Sequence, residues 1–237
     1  MKRTTLSLLL FAVLMPAILL CSCSQDDTVS IDTYNLMYDH LSQVWAQSLA
    51  HADAKIAFFG DSRVIGADWY SAYPDSKVVN LGVGGDRIRN LRIRMSQLYT
   101  LVSNGQLSVC FLAIGGNDCL SSSYDSADFR DEYDALLTEL RSLGLTVYVN
   151  TIAGVTDEGT SLPSKTADLA NSRMAEANAI IRELAAVHGL TLIDIASDMN
   201  DEHGKLKASY STPDGVHFSQ AGYDCWYNVL RPYVTNE

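Results

Sequence analysis

Five β-prone apolar runs, at 56–59, 78–81, 109–114, 145–152 and 190–195, alternate with longer stretches whose apolar residues recur at helical spacing. The helical stretches are 88–102 (Ile88, Leu91, Met95, Leu98, Val102), 129–143 (Tyr133, Leu136, Leu137, Leu140) and 167–188 (Ala170, Met174, Ala177, Ile181, Leu184). Another, at 34–49, carries Met37, Leu41, Val44, Trp45 and Leu49. Runs of this continuous kind fit strands buried on both faces. Strand–helix alternation with short connections then requires a parallel sheet flanked by helices. Right-handed crossovers complete an α/β fold, a three-layer α/β/α sandwich on a five-stranded parallel sheet. A length of 237 residues suits one domain, and no internal repeat interrupts it.

Met1-Lys2-Arg3 followed by an apolar stretch from Leu6 to Leu20 has the layout of a secretory signal. A transmembrane anchor is the alternative, disfavoured by the short run and by Pro16 within it. Leu20-Cys21-Ser22-Cys23 resembles a bacterial lipobox, with Cys23 the better lipidation candidate because small Ser22 directly precedes it. The expected division is a signal peptide at 1–22, a polar leader at 23–33 and a folded domain at 34–237. Lipid on Cys23 would hold an exported protein at the cell envelope, on the outer membrane. Formal net charge is −11; without Lys2 and Arg3, 15 basic residues face 28 acidic ones, leaving −13. That balance argues against a nucleic-acid partner. Oligomeric state leaves no trace in the sequence.

Three cysteines lie in the domain, Cys110, Cys119 and Cys225, with no CxxC spacing and hence no zinc pattern. Cys110 reads as core filler, and a disulfide between Cys119 and Cys225 stays open. No metal or cofactor is expected.

The first apolar run ends in Gly60-Asp61-Ser62, placing a hydroxyl at the C-terminal edge of a strand, where ligands gather in open α/β sheets. A serine hydroxyl attacks only when a neighbouring base takes its proton. Asp214-Gly215-Val216-His217 offers an imidazole and a carboxylate three residues apart, close enough for the acid to orient the ring. Gly84-Gly85-Asp86 and Gly115-Gly116-Asn117-Asp118 lie between. The order serine, Asp, His also occurs in α/β-hydrolases, but Gly60-Asp61-Ser62-Arg63-Val64 does not match their G-x-S-x-G elbow.

These four blocks, in this order over 56–223, resemble the SGNH (GDSL) hydrolase superfamily. The segment Asn80-Leu81-Gly82-Val83-Gly84-Gly85-Asp86 looks most like the branch related to platelet-activating-factor acetylhydrolase subunits and lysophospholipase-type thioesterases. The resemblance implies a flavodoxin-like fold and a serine ester hydrolase without cofactor. It implies Ser62 as nucleophile, His217 as general base and Asp214 as its orienter. The oxyanion donors would be the backbone N–H of Ser62, the backbone N–H of Gly85 (Gly84 competing) and the side-chain amide of Asn117. For an envelope protein the expected substrates are short acyl esters, with acetyl groups on glycans leading and lysophospholipids or thioesters second. A non-catalytic glycan-binding surface lipoprotein is the rival, and retention of all three triad residues speaks against it.

Several residues carry simpler expectations. Ser62 alone could cap a helix, while Asp61 and Asp118 read as loop-holding acceptors. Arg63 departs from the family's usual Leu or Ile and is expected to salt-bridge locally, with an anionic substrate group the alternative. Arg87, Arg89, Arg92 and Arg94 read as a solvated face paired with carboxylates, with attraction of acidic sugars or phosphate groups the sharper option. Trp45, Trp69 and Trp226 read as packing, Trp69 being the best placed for a sugar platform. His40, His51, His188 and His203 show no ligand spacing.

Overall fold

Each of the five apolar runs becomes a strand. The computed structural model describes residues 53–234, so the expected helix at 34–49, the signal segment, Cys23, Trp45, His40 and His51 lie outside the described residues. The strands are β1 (Ile56–Gly60), β2 (Val78–Gly82), β3 (Val109–Ala113), β4 (Thr146–Asn150) and β5 (Thr191–Ile193). They form one sheet in the order β2-β1-β3-β4-β5, every neighbouring pair parallel.

The helices are α1 (Ser62–Ile65), α2 (Trp69–Ala72), α3 (Ile88–Ile93), α4 (Ser96–Ser103), α5 (Gly116–Leu120), α6 (Ser126–Ser142), α7 (Ser164–Val187), α8 (Ile195–Met199) and α9 (Gln220–Val234). Strand side chains alternate between two cores. Ala57, Phe59, Val79, Leu81, Cys110, Leu112, Val147 and Val149 face a core closed by α3, α4, α6 and α7. Ile56, Phe58, Val78, Val109, Phe111 and Ile193 face the other, closed by α1, α2, α8 and α9. The sheet is therefore the middle of three layers. Among the described residues no helix is long and apolar enough to cross a membrane.

The expected single helix at 88–102 is corrected to two, α3 and α4. The break falls at Arg94 and Met95, where the Met95 and Gln97 N–H groups bond carbonyls only three residues back. Its cause is the Arg94 side chain, which turns inward and ends 4% exposed. Leu91, Met95 and Leu98 stay in phase across the break, so apolar periodicity passes over it.

Register fixes where the chemistry sits. Gly60 pairs with both Gly82 and Ala113, so β1, β2 and β3 end at one level. The three loops that follow, carrying Ser62, Gly85 and Asn117, therefore open at the same edge. The order 2-1-3-4-5 reverses direction between β1 and β3, and the crevice beyond such a reversal is where open α/β sheets bind ligands.

Candidate active site

Asp61 ends β1 and starts α1. Its Oδ1 accepts from the Arg63 N–H at 2.9 Å, capping the helix whose first residue is Ser62. Burial pushes the Asp61 carboxyl above its ordinary range, against the opposing charge of Arg63. Asp61 is thus a structural acceptor. Ser62 does not cap; it sits at the first helical position, where a backbone N–H has no partner within the helix.

The C-terminal block folds into a tight loop ahead of α9. Gly215 has φ of 79°, and a Cβ there would lie 2.2 Å from the Thr156 carbonyl oxygen, so only glycine lets this turn close. Within the loop, Asp214 Oδ1 accepts from the Val216 N–H (2.8 Å), the His217 N–H (2.9 Å) and the Thr212 hydroxyl (2.9 Å). Its Oδ2 lies 2.6 Å from His217 Nδ1, and His217 Nε2 lies 2.9 Å from Ser62 Oγ. Burial raises the Asp214 pKa, but the hydrogen bonds from the His217 ring, the two backbone N–H groups and Thr212 outweigh it. They hold the carboxyl well below the ordinary range. The structure therefore brings together a hydroxyl, an imidazole and an ionised carboxylate from opposite ends of the domain, 155 residues apart for Ser62 and His217.

The second and third blocks meet beside them. The Asp86 N–H bonds the Val83 carbonyl across a turn in which Gly85 takes φ of 79°. That value suits the third position of a type II turn, which favours glycine. Asn117, near the start of α5, donates from Nδ2 to the Asp86 carbonyl at 2.9 Å, so its amide lies against the Gly84-Gly85 turn. Asp118 Oδ2 accepts from the Ile88 N–H at 3.3 Å and joins the same two loops.

What stands behind this edge is not legible in the sequence. Arg94 donates from Nε to Asp86 Oδ2 (2.6 Å), from Nη1 to the Leu81 carbonyl (2.8 Å) and Gln97 Oε1 (3.0 Å), and from Nη2 to the Gly60 carbonyl (2.8 Å). It braces the ends of β1 and β2 directly below the Ser62 and Gly85 loops. Splitting this pair would strand a charge in the core. The basic-cluster expectation is accordingly corrected for Arg94, which is core. It holds for Arg92, which bonds Glu132 at 2.7 Å and Glu139 at 2.8 Å.

Among the described residues Arg63 forms no salt bridge. It donates to the backbone carbonyls of Ala153, Gly154 and Val216, which corrects the local ion-pair expectation. Trp69 is fully buried, stacked 3.7 Å from the Phe58 ring with its Nε1 bonded to the Val64 carbonyl, so it offers no sugar platform. Such stacking adds about 0.5–1.5 kcal/mol beyond area burial. Trp226 is equally buried. Cys119 and Cys225 are both free and serve different cores on opposite faces of the sheet, which closes the disulfide option. His188 bonds Asp134 at 2.6 Å, and His203 is exposed.

A cavity of about 200 Å³ shares the Asp86 and Asn117 loops; Arg87, Arg89, Asp118, Ser121, Tyr124 and Phe129 are among its walls. A larger one of about 570 Å³, between α7 and the loop at 200–205, contains none of the four blocks. Burial raises Asp118 to about 6 from its ordinary 3.8. Its ionised form is thus penalised in the folded state only. The penalty is absent below pH 3.8, grows as pH rises and is complete above about pH 6. Asp118→Asn keeps an acceptor for Ile88 and is expected to stabilise the fold by about 1–2 kcal/mol at pH 8, after discounting for partial exposure. Urea unfolding should show the gain at pH 8 and its disappearance at pH 3.5.

A family model described as the GDSL-like lipase/acylhydrolase family matches residues 39–225. No curated protein matches the chain. Among solved structures, a GDSL-like lipase from Bacteroides thetaiotaomicron VPI-5482 aligns with a TM-score of 0.65 at 16% identity, over 84% of this chain and 97% of its own. A protein described as a platelet activating factor, from Streptococcus pneumonia, gives 0.67 at 20% identity over 86% and 98%. An acetyl xylan esterase gives 0.61 at 22% identity over 76% and 99%. At such identities the likeness is one of fold. The family match spans most of the chain and all four blocks, and on that ground the chain belongs to the GDSL-like lipase/acylhydrolase family, an SGNH-type carboxylic ester hydrolase.

Proposed function

We propose that this hydrolase removes short acyl groups, acetyl foremost, from glycans through an acyl-enzyme on Ser62. The observation that carries the reading is the unbroken line from Ser62 Oγ through His217 to Asp214, at 2.9 and 2.6 Å. Ser62 Oγ attacks the ester carbonyl while His217 Nε2 takes its proton, and Asp214 stabilises the imidazolium so formed. The tetrahedral oxyanion is met by the N–H groups of Ser62 and Gly85 and by the Asn117 amide. Asn117 Nδ2 spends one hydrogen on Asp86 and retains the other for substrate. Collapse breaks the ester bond, and His217 returns the proton to the departing alcohol. Water, activated by the same imidazole, then attacks the acyl-enzyme, releasing the acid and restoring the Ser62 hydroxyl.

The substrate class rests on the surroundings. His217 and Asp214 are 43% and 48% exposed, an open site that suits acyl groups displayed on a bulky carrier. The adjoining cavity mixes arginines, carboxylates and hydroxyls with Tyr124 and Phe129, a lining matched to a polyhydroxyl ring. An acetyl xylan esterase among the structural neighbours agrees with it. Export and lipid anchoring at Cys23, inferred from 1–23, would put such an enzyme at the envelope, facing external glycans.

The test is a series of p-nitrophenyl esters of graded chain length alongside acetylated saccharides. kcat/KM is expected to peak at acetyl and to fall at least tenfold by octanoyl, with release of acetate from the saccharides. A maximum at long acyl chains would contradict the short-acyl reading.

A further inference from the structure

The side chain next to Ser62 grips the loop that carries His217 on both flanks of the histidine. Arg63 Nε and Nη2 donate to the Val216 carbonyl at 3.1 and 2.9 Å, on one side of His217. On the other side its guanidinium carbon lies 4.6 Å from the centroid of the Phe218 ring. Nη1 reaches the Ala153 carbonyl at 2.7 Å and Nη2 the Gly154 carbonyl at 2.8 Å, just beyond β4. One planar group thus holds three carbonyls from two separate segments at once, a geometry that the single nitrogen of lysine cannot copy.

Thr212, Asp214 and Gly215 fix the turn of the His217 loop, and the Gly215 and Pro213 carbonyls tie it to the N–H groups of Thr156 and Ser161, both at 2.9 Å. Neither anchor comes from the segment that carries Ser62. Among the described residues, the hydrogen bonds joining 61–66 to 212–218 are those from Arg63 and the Ser62–His217 bond itself. With its backbone fixed in α1 directly after Ser62, Arg63 links the two reacting partners through a short, rigid path. We infer that Arg63 is a positioning residue, which sets the distance and angle between the Ser62 hydroxyl and the His217 ring. This inference rests on the reading of those two residues as nucleophile and base.

A misplacement of about 1 Å between reacting groups can lower a rate about a hundredfold. Arg63→Met, which keeps length and loses every donor, is expected to lower kcat by about that factor while KM stays within about threefold. Arg63→Lys should recover part of the loss. The decisive comparison is the same substitution on a His217→Ala background. A residue that acts only by aiming His217 has nothing left to aim, so Arg63→Met should change the residual rate there by less than about twofold. A residue that merely supports the fold would lower both backgrounds by the same factor. That outcome, or an unchanged kcat in the folded Arg63→Met protein, overturns the inference. If Arg63→Met does not fold, Arg63→Lys carries the same two-background comparison. Ser62→Ala is run in parallel: full activity there would defeat the underlying reading, whereas an inactive Ser62→Ala beside an unimpaired Arg63 variant would defeat this inference alone.

Discussion

Replacing Ser62 by alanine is expected to lower kcat for acyl esters by a factor on the order of a million, with no change in thermal unfolding. The hydroxyl sits at the first position of α1 and, among the described residues, bonds only His217, so its removal leaves no carbonyl or carboxylate stranded in the core. His217→Ala should be comparably damaging, and the double variant no worse than either single one, because the two residues act as one unit. The residual rate belongs to the oxyanion donors and to binding. Steady-state kinetics on an acetyl ester check the expectation, and a Ser62→Ala loss below about a hundredfold would contradict it.

Asp214→Asn is expected to lower kcat by about ten-thousandfold while the loop survives. The asparagine retains Oδ1 as acceptor for Val216, His217 and Thr212, so the turn keeps its three hydrogen bonds. At the other atom a carboxylate acceptor becomes an amide donor facing Nδ1. The ring must then present an unprotonated Nδ1 to the amide and carry its proton on Nε2, which points at Ser62. An Nε2 that already holds a proton cannot take the one from the serine. Unchanged unfolding with collapsed kcat separates this tautomer effect from loss of structure, and an active Asp214→Asn enzyme would contradict it.

Much of this is legible in the amino-acid sequence, for physical reasons. The sheet announces itself because strands buried on both faces must be apolar throughout. Gly60-Asp61-Ser62, Gly84-Gly85-Asp86 and Gly115-Gly116-Asn117-Asp118 are visible because each begins within three residues of the end of such a run, and the shared register of β1, β2 and β3 brings them to one edge. Asp214 and His217 could be paired because three residues with a glycine between them leave few other geometries. What stayed hidden depends on backbone acceptors. Arg63 bonds carbonyls of 153, 154 and 216, and a carbonyl carries no residue-type signal. Arg94 hid in a basic cluster on an apparently continuous helix, since the phase of Leu91, Met95 and Leu98 survives the break that turns it inward. Trp69 lies near Ser62 in the chain but not in the site, since α2 sends it under the sheet against Phe58.

Intact-mass measurement after treatment with a fluorophosphonate tests the activated serine most directly. The wild-type chain should gain one phosphonyl group, mapped by peptide analysis to Ser62, and Ser62→Ala should gain none. Equal modification of the two proteins, or an adduct on a different residue, would show that the hydroxyl held by His217 is not the nucleophile.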